Sequence, residues 1–144
     1  FWNKDKKNYY AVLGTKYGSN DIEFIDSLGN SIKTPYGTAH FLEHKVFVQE
    51  NDPQPEEFFA SSGALCNAYT TFKNTTYLFS GPNNLKENIS FLLDYVQSPY
   101  FTEENVESEK GIITQEIHMY EDKPTDLLYE AIRKNVFHNN PWNN

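Results

Sequence analysis

The chain has 144 residues and a formal net charge of −8 at pH 7, which is long enough for one domain with a substantial hydrophobic core. This acidic balance argues against nucleic acid as a partner, because phosphate binding needs basic surface. The apolar runs are a few residues long, far short of the ~20 residues of a membrane span, so we expect no membrane partner.

The first half of the chain is predicted to contain two strands followed by two helices. Turn residues Gly18 and Gly29 end the strand segments. Pro53 and Pro55 then break the chain before a short helix, which Gly63 ends. The predicted elements here are, in chain order, strands at residues 9–15 and 21–25, a helix at about residues 37–49 and a helix at residues 56–62.

The second half is predicted to contain a strand pair followed by three helices. The two strands are antiparallel and joined around Lys73 and Asn74, and Thr102 and Thr125 are the expected N-caps of the last two helices. The predicted elements here are strands at residues 65–70 and 75–80 and helices at residues 85–97, 105–121 and 126–137. The fold class is therefore α+β, a mainly antiparallel sheet packed against helices, with residues 1–144 forming a single domain.

Cys66 is the single cysteine of the chain, which excludes an internal disulfide. Without a His and Asn pattern around it, we expect a small strand residue and not a nucleophile. No signal peptide is visible. We therefore expect a cytoplasmic protein.

The segment His40-Phe41-Leu42-Glu43-His44 spells the motif H-x-x-E-H. On a helix, residues four apart lie on one face, so His40 and His44 can share one zinc ion, with the Glu43 carboxylate beside it. These are the first components that a zinc hydrolase needs. The alternative is an amphipathic helix whose apolar side chains, Val46 among them, face a core while the polar residues face water.

The acidic helix at residues 105–121 offers a third metal ligand. Glu109 and Glu116 are seven residues apart, which places them on one face two turns from each other. A carboxylate from this face would complete a His, His, Glu set that leaves a fourth position open for water, as in catalytic sites. The expected apolar stripe of this helix consists of Val106, Ile113, Ile117 and Tyr120.

Three segments agree in order and spacing with one family of peptidases. They are H-F-L-E-H preceded by Gly37, the run G-A-L-C-N-A-Y-T at residues 63–70, and the run E-K-G-I-I-T-Q-E-I at residues 109–117. Together they resemble the pitrilysin/insulinase family of zinc metallopeptidases, the inverzincins. The resemblance extends from about Tyr36 to Pro141. It is strongest to uncharacterised bacterial zinc-dependent peptidases, in which a lysine follows the second histidine.

The resemblance implies a zinc metalloendopeptidase that holds one zinc ion (Zn2+) per chain. By position, His40, His44 and Glu116 match the zinc ligands, and Glu43 matches the general base. Glu109 matches an additional glutamate that supports the catalytic site. From the residues alone, Glu109 is equally well explained as a surface charge.

Further positions carry expectations of their own. Asn67 and Ala68 match a strand segment that pairs with the substrate backbone in the family, so they are the expected substrate-binding residues. Lys45 directly follows the second histidine, and we expect it at the surface or in a salt bridge. His118, two residues after Glu116, lies about 200° around the helix and is expected to be a surface residue.

Members of the family are much longer than this chain and contain two or more homologous α+β domains. We therefore interpret the chain as a fragment, part of the N-terminal catalytic domain of a longer two-half enzyme. The implied partners are a peptide substrate and a second homologous domain or partner subunit. The fragment alone is expected to be inactive or weakly active. Two alternatives are a non-catalytic binding or structural subunit of a two-subunit peptidase complex, and a structural-zinc or metal-free interaction domain.

Overall fold

The computed structural model describes residue 5 and residues 7–138. Along the described part of the chain, three strands, two helices, two strands and three helices follow one another, which confirms the predicted α+β class. The strands are β1 Tyr9–Thr15, β2 Glu23–Ile25, β3 Ser31–Lys33, β4 Leu65–Thr70 and β5 Thr75–Gly81. The helices are α1 Thr38–Val46, α2 Pro55–Ser61, α3 Leu85–Gln97, α4 Glu103–Glu121 and α5 Pro124–Val136.

The main sheet is antiparallel with strand order β1-β5-β4, so β5 is central and β4 is an edge strand of the described sheet. Thr70 and Thr75 are directly opposite each other next to the hairpin turn. Strands β2 and β3 form a separate two-stranded sheet. The β2–β3 hairpin precedes α1 in the chain. Strand β4 lies against α1, so the fold brings residues 65–70 next to the H-x-x-E-H motif.

The core lies between one face of the main sheet and helices α1, α2 and α3. The aromatic rings of Phe59 and Phe79 stack with their centroids 5.0 Å apart, and both side chains are completely buried. Side chains of a strand alternate between its two faces, so Cys66, Ala68 and Thr70 of β4 all face this helical layer. Val46 of the motif helix is also in the core, as the amphipathic pattern predicts.

Helix α4 packs against α1, and α5 packs against α4. Thr102 caps α4 as predicted: its hydroxyl oxygen accepts a hydrogen bond from the Asn105 N–H at 3.1 Å, and the Asn105 side chain accepts one from the Thr102 N–H. Of the expected apolar stripe, Val106 and Ile113 are half-buried, whereas Ile117 and Tyr120 are exposed.

Several predicted boundaries are wrong. Strand β3 was not predicted, because the sequence Ser31-Ile32-Lys33 carries one apolar residue and gives almost no alternation signal. Thr125 is not the cap of α5, since the helix begins at Pro124 with Lys123 as N-cap. Proline suits the first helical position, where its fixed φ is already helical and no N–H is needed. The motif helix ends at Val46, three residues earlier than predicted.

Among the described residues, no helix combines the length and the apolar composition that crossing a membrane would require.

Candidate metal centre

Helices α1 and α4 bring three potential metal ligands together. His40 and His44 lie one turn apart on α1, and their Nε2 atoms are 3.1 Å from each other. Glu116 approaches from α4, with its Oε2 3.8 Å from the His40 Nε2 and 3.5 Å from the His44 Nε2. The structure thus places next to each other three residues that are up to 76 positions apart in the sequence.

The size and chemistry of this triangle suit a zinc ion. Zinc bonds of about 2.0–2.1 Å in a tetrahedral arrangement separate the ligand atoms by about 3.3 Å, close to the three distances observed between the donor atoms. Two imidazoles and one carboxylate are an ordinary catalytic donor set. All three side chains are partly exposed, so solvent can reach the open fourth position.

Glu109 is buried and contacts His44, so the structure does not support the alternative of a surface charge. The Glu109 Oε1 lies 2.9 Å from the His44 Nδ1, and the residue is 6% exposed. A carboxylate at that distance accepts the hydrogen of Nδ1–H, which leaves the lone pair of the imidazole on Nε2, the atom that faces the triangle. Glu109 is therefore placed to fix both the tautomer and the orientation of His44.

Glu43 lies between the two histidines in sequence but is turned toward strand β4. Its Oε2 accepts a hydrogen bond of 2.6 Å from the hydroxyl of Thr70, and the residue is 8% exposed. Thr70 was not identified from the sequence. The one available signal was its place on the same strand face as Cys66 and Ala68, which points to α1.

An open cleft of about 480 Å³ lies beside the motif. It is bounded on one side by Glu43, His44 and Glu109 and on the other by Asn67 and Ala68 of β4. The fold thus brings the expected substrate-binding strand next to the motif helix. The backbone N–H of Ala68 donates to the side-chain oxygen of Asn67 at 2.8 Å, so this edge donor already has a partner.

Lys45 is not at the surface and makes no salt bridge within the described residues, contrary to the prediction. Its side chain is completely buried, and its Nζ has no hydrogen-bond partner among them. The ammonium group lies 5.7 Å from the ring centroid of Phe101, a cation–π contact. Burial lowers the pKa of Lys45 below its ordinary value, while the nearby Glu109 carboxylate partly opposes that shift.

The remaining candidate groups lie outside the triangle. His118 is exposed and contacts Glu121 on its own helix, with its Nδ1 2.9 Å from the carboxylate, which confirms the expected surface position. Burial of the Cys66 thiol, with a smaller contribution from Glu56, raises its pKa to about 11. A thiol with that pKa is protonated at neutral pH, which agrees with the expectation that Cys66 is not a nucleophile.

Comparison with known families gives one clear match. The sequence model of the family described as Insulinase (Peptidase family M16) matches residues 29–144. The chain is 47% identical over 133 residues to the uncharacterized zinc protease YmfH of Bacillus subtilis (strain 168). That match covers 92% of this chain and 31% of the relative.

Solved structures agree with the sequence match. The fold is similar to that of an M16-like peptidase from Alicyclobacillus acidocaldarius, with a TM-score of 0.91 and 42% identity over 96% of this chain and 32% of that one. Pitrilysin is similar in fold alone, with a TM-score of 0.76 and 19% identity over 97% of this chain and 14% of that one. The chain spans about a third of the length of its relative YmfH and of the Alicyclobacillus protein.

Proposed function

The chain belongs to the insulinase family of peptidases (peptidase family M16), and on that basis we propose that it supplies the zinc site of a metalloendopeptidase that hydrolyses extended peptides. The observation that carries the proposal is the triangle of His40, His44 and Glu116 donor atoms, with the Glu43 carboxylate on the same helix as the two histidines. The name of a relative with 47% identity, an uncharacterized zinc protease, agrees with the proposal.

Each group of the site has a chemical role in this proposal. His40, His44 and Glu116 hold the zinc ion, and Glu109 keeps the His44 Nε2 available by accepting the Nδ1 hydrogen. Bound zinc supplies Lewis-acid chemistry, which makes water acidic near neutral pH and polarises a carbonyl group. Glu43 accepts the proton of the attacking water and afterwards gives it to the leaving amine.

We propose that the substrate lies along strand β4. The strand is at an edge of the main sheet and borders the cleft that contains Glu43 and His44. An extended peptide can add to such an edge through backbone hydrogen bonds, with Asn67 and Ala68 at the point nearest the cleft. A folded protein keeps most of its strands paired, so this mode of binding favours unfolded segments and flexible peptides.

Residues 1–144 are proposed to form part of the N-terminal catalytic domain of a longer protein, since the chain spans about a third of its relative YmfH and of the Alicyclobacillus structure. A second homologous domain of the same protein, or a homologous partner subunit, would complete the substrate chamber. We therefore expect the isolated chain to bind zinc and to cleave peptides poorly or not at all. Efficient peptide turnover by the purified chain would contradict this.

The first test is metal content after zinc loading and exhaustive dialysis. We expect about one zinc ion per wild-type chain and a large loss in His44→Ala, which removes one of the three donors. Glu50→Gln, an exposed loop position, is the matched control and should keep the metal. A folded wild-type chain that binds no zinc would refute the proposed site.

The second test addresses catalysis in the full-length protein. Glu43→Gln removes the proton acceptor but no zinc ligand, so we expect normal zinc content and a loss of peptide hydrolysis of about 10²- to 10⁴-fold. Normal turnover by this variant would exclude Glu43 as the base. If the wild-type protein binds zinc yet cleaves no unstructured peptide, the alternative of a non-catalytic binding subunit is favoured instead.

A further inference from the structure

A row of hydroxyl groups in the sheet ends at the carboxylate of Glu43. Thr70 lies next to that carboxylate, Thr75 lies next to Thr70, and the backbone carbonyl of Tyr17 ends the row. We propose that Thr70 is a positioning residue, which holds the Glu43 carboxylate in one orientation for proton transfer. This inference rests on the proposed function, because it assigns a role to Thr70 through the base of that reaction.

The distances define the direction of the hydrogen bonds in this row. The Thr75 hydroxyl donates to the Tyr17 carbonyl oxygen at 2.9 Å, and a carbonyl oxygen can only accept. The one hydrogen of Thr75 is therefore used, and its oxygen can only accept from Thr70, 3.2 Å away. The hydrogen of Thr70 has two possible acceptors, and the Glu43 oxygen is the closer, at 2.6 Å.

The short distance between Thr70 and Glu43 is typical of a hydroxyl that donates to an ionised carboxylate. Among the described residues, this is the one hydrogen bond that the structure assigns to the Glu43 side chain. A glutamate side chain has three rotatable bonds, and its rotamers are otherwise limited here only by burial. Within the described residues, Thr70 is therefore the single hydrogen-bond donor that orients the carboxylate.

Thr70 is itself held rigidly, so it can fix the position of the Glu43 carboxylate. It is paired directly with Thr75 across β4 and β5, so its backbone is fixed by the sheet. Its branched Cβ restricts the first side-chain torsion. The contact also connects two separate elements, since Glu43 is on α1 and Thr70 is 27 residues later on β4. A rigid strand thus supplies the fixed point, and the helix supplies the reactive group.

A structural role for Thr70 is the competing explanation, because its side chain also fills space between β4 and α1. Two substitutions separate the explanations. Thr70→Val keeps the shape and loses the hydroxyl, whereas Thr70→Ser keeps the hydroxyl and loses the methyl group. Thr114→Val on the exposed face of α4 is the control for the Thr-to-Val change itself, because the Thr114 hydroxyl bonds only within its own helix.

The experiment uses the full-length protein loaded with zinc and an unstructured peptide as substrate. We expect Thr70→Val to lower kcat by about 10- to 100-fold, with zinc content unchanged and KM within about twofold of wild type, because neither a ligand nor the substrate strand backbone is altered. Thr70→Ser should keep most of kcat, and Thr114→Val all of it. A kcat of Thr70→Val close to wild type, or an equal loss in Thr70→Ser, would overturn the proposal.

A second readout does not depend on turnover. In a crystal structure of zinc-loaded Thr70→Val, we expect the Glu43 carboxylate in more than one rotamer or turned away from β4, whereas wild type and Thr70→Ser show one position. A single, unchanged position of Glu43 in Thr70→Val would overturn the positioning role, whether or not the wild type is active. Inactivity of the wild type would by itself refute only the proposed function. If Thr70→Val fails to fold, Thr70→Ala provides a smaller variant without the hydroxyl.

Discussion

Glu109 makes two distinct interactions that one set of variants can separate. Its carboxylate accepts the Nδ1 hydrogen of His44 at 2.9 Å, and it is also the acidic group whose charge favours the buried ammonium of Lys45. Replacing Glu109 with Gln retains an acceptor oxygen but removes the charge. Replacing Glu109 with Ala removes both the acceptor oxygen and the charge. Comparing the two variants therefore shows how much each of these properties contributes to the effect on His44.

The expected loss of zinc affinity follows from the hydrogen bond to His44. Outer partners of metal-bound histidines typically contribute 10- to 100-fold to metal affinity, which is about 1.4–2.7 kcal/mol. We expect Glu109→Gln near the lower end, because its amide oxygen can still accept from Nδ1. Glu109→Ala should lie near the upper end. Both variants should also lose about 1–2 kcal/mol of unfolding free energy, because the buried Lys45 ammonium loses the favourable negative charge of Glu109.

The assay is competition for zinc between the protein and a chromophoric chelator at constant pH. Glu107→Gln is the matched control on the same helix, since Glu107 is largely exposed and its ion pair with Lys110 is worth little. The double variant Lys45→Met/Glu109→Gln then separates the two interactions. It should recover the unfolding free energy without recovering zinc affinity.

Two results would refute this reasoning. If Glu109→Ala binds zinc as tightly as wild type, the hydrogen bond to His44 does not contribute to the metal site. If the Lys45→Met/Glu109→Gln double variant regains wild-type zinc affinity, the loss in Glu109→Gln came from the unbalanced charge of Lys45 and not from the His44 tautomer.

Three further predictions concern stability. Lys45→Met should raise the unfolding free energy by about 1–2 kcal/mol in urea denaturation, because an apolar side chain of similar length replaces a buried ammonium that has no hydrogen bond. A lower unfolding free energy would show that the Phe101 contact outweighs the cost of burying the charge. The Cys66 thiol has a folded pKa of about 11 against an ordinary 9.0, so the unfolded chain loses this proton first and stability should fall by roughly 2 kcal/mol between pH 9 and 11. Cys66→Ala should fall less over that range, and parallel curves would contradict the assignment. Gly111→Ala should stabilise the protein by about 0.5–1 kcal/mol, because Gly111 lies in the interior of α4 and no atom is near the added methyl group. Gly18→Ala should destabilise it, because the added Cβ would lie 2.5 Å from the backbone nitrogens of the hairpin turn. Equal unfolding midpoints for the two glycine variants would refute this contrast.

Much of the fold could be predicted because its signals are local. Helix α3 was predicted with its observed bounds, Leu85–Gln97, since its apolar residues recur with helical spacing. Thr102 was predicted as the N-cap of α4, because capping depends on residues within the first turn. The predicted helix nevertheless began at residue 105, whereas the observed one begins at Glu103. The order and spacing of the motif segments similarly indicated the family, which the match over residues 29–144 confirms.

The features that could not be predicted depend on contacts between distant segments. Lysine is rarely buried completely, and the buried Lys45 contacts the ring of Phe101, which belongs to the segment after α3. The bond between Thr70 and Glu43 joins residues 27 positions apart. The geometry of the metal triangle likewise needs α4 to pack on α1. Spacing alone identified the two histidines but could not fix the distance from them to Glu116.

The hydrogen bond between Asn67 and the Ala68 N–H has a consequence for every strand that meets this edge. An unpaired strand edge is a general template for aggregation, yet here one of its donors is already satisfied by the neighbouring side chain. An incoming strand must displace that amide, at a net cost on the order of 1 kcal/mol. A single new backbone bond only offsets this cost, whereas a chain that makes several backbone bonds in register gains free energy beyond it. The Asn67 side chain thus favours long extended segments over short ones at this edge.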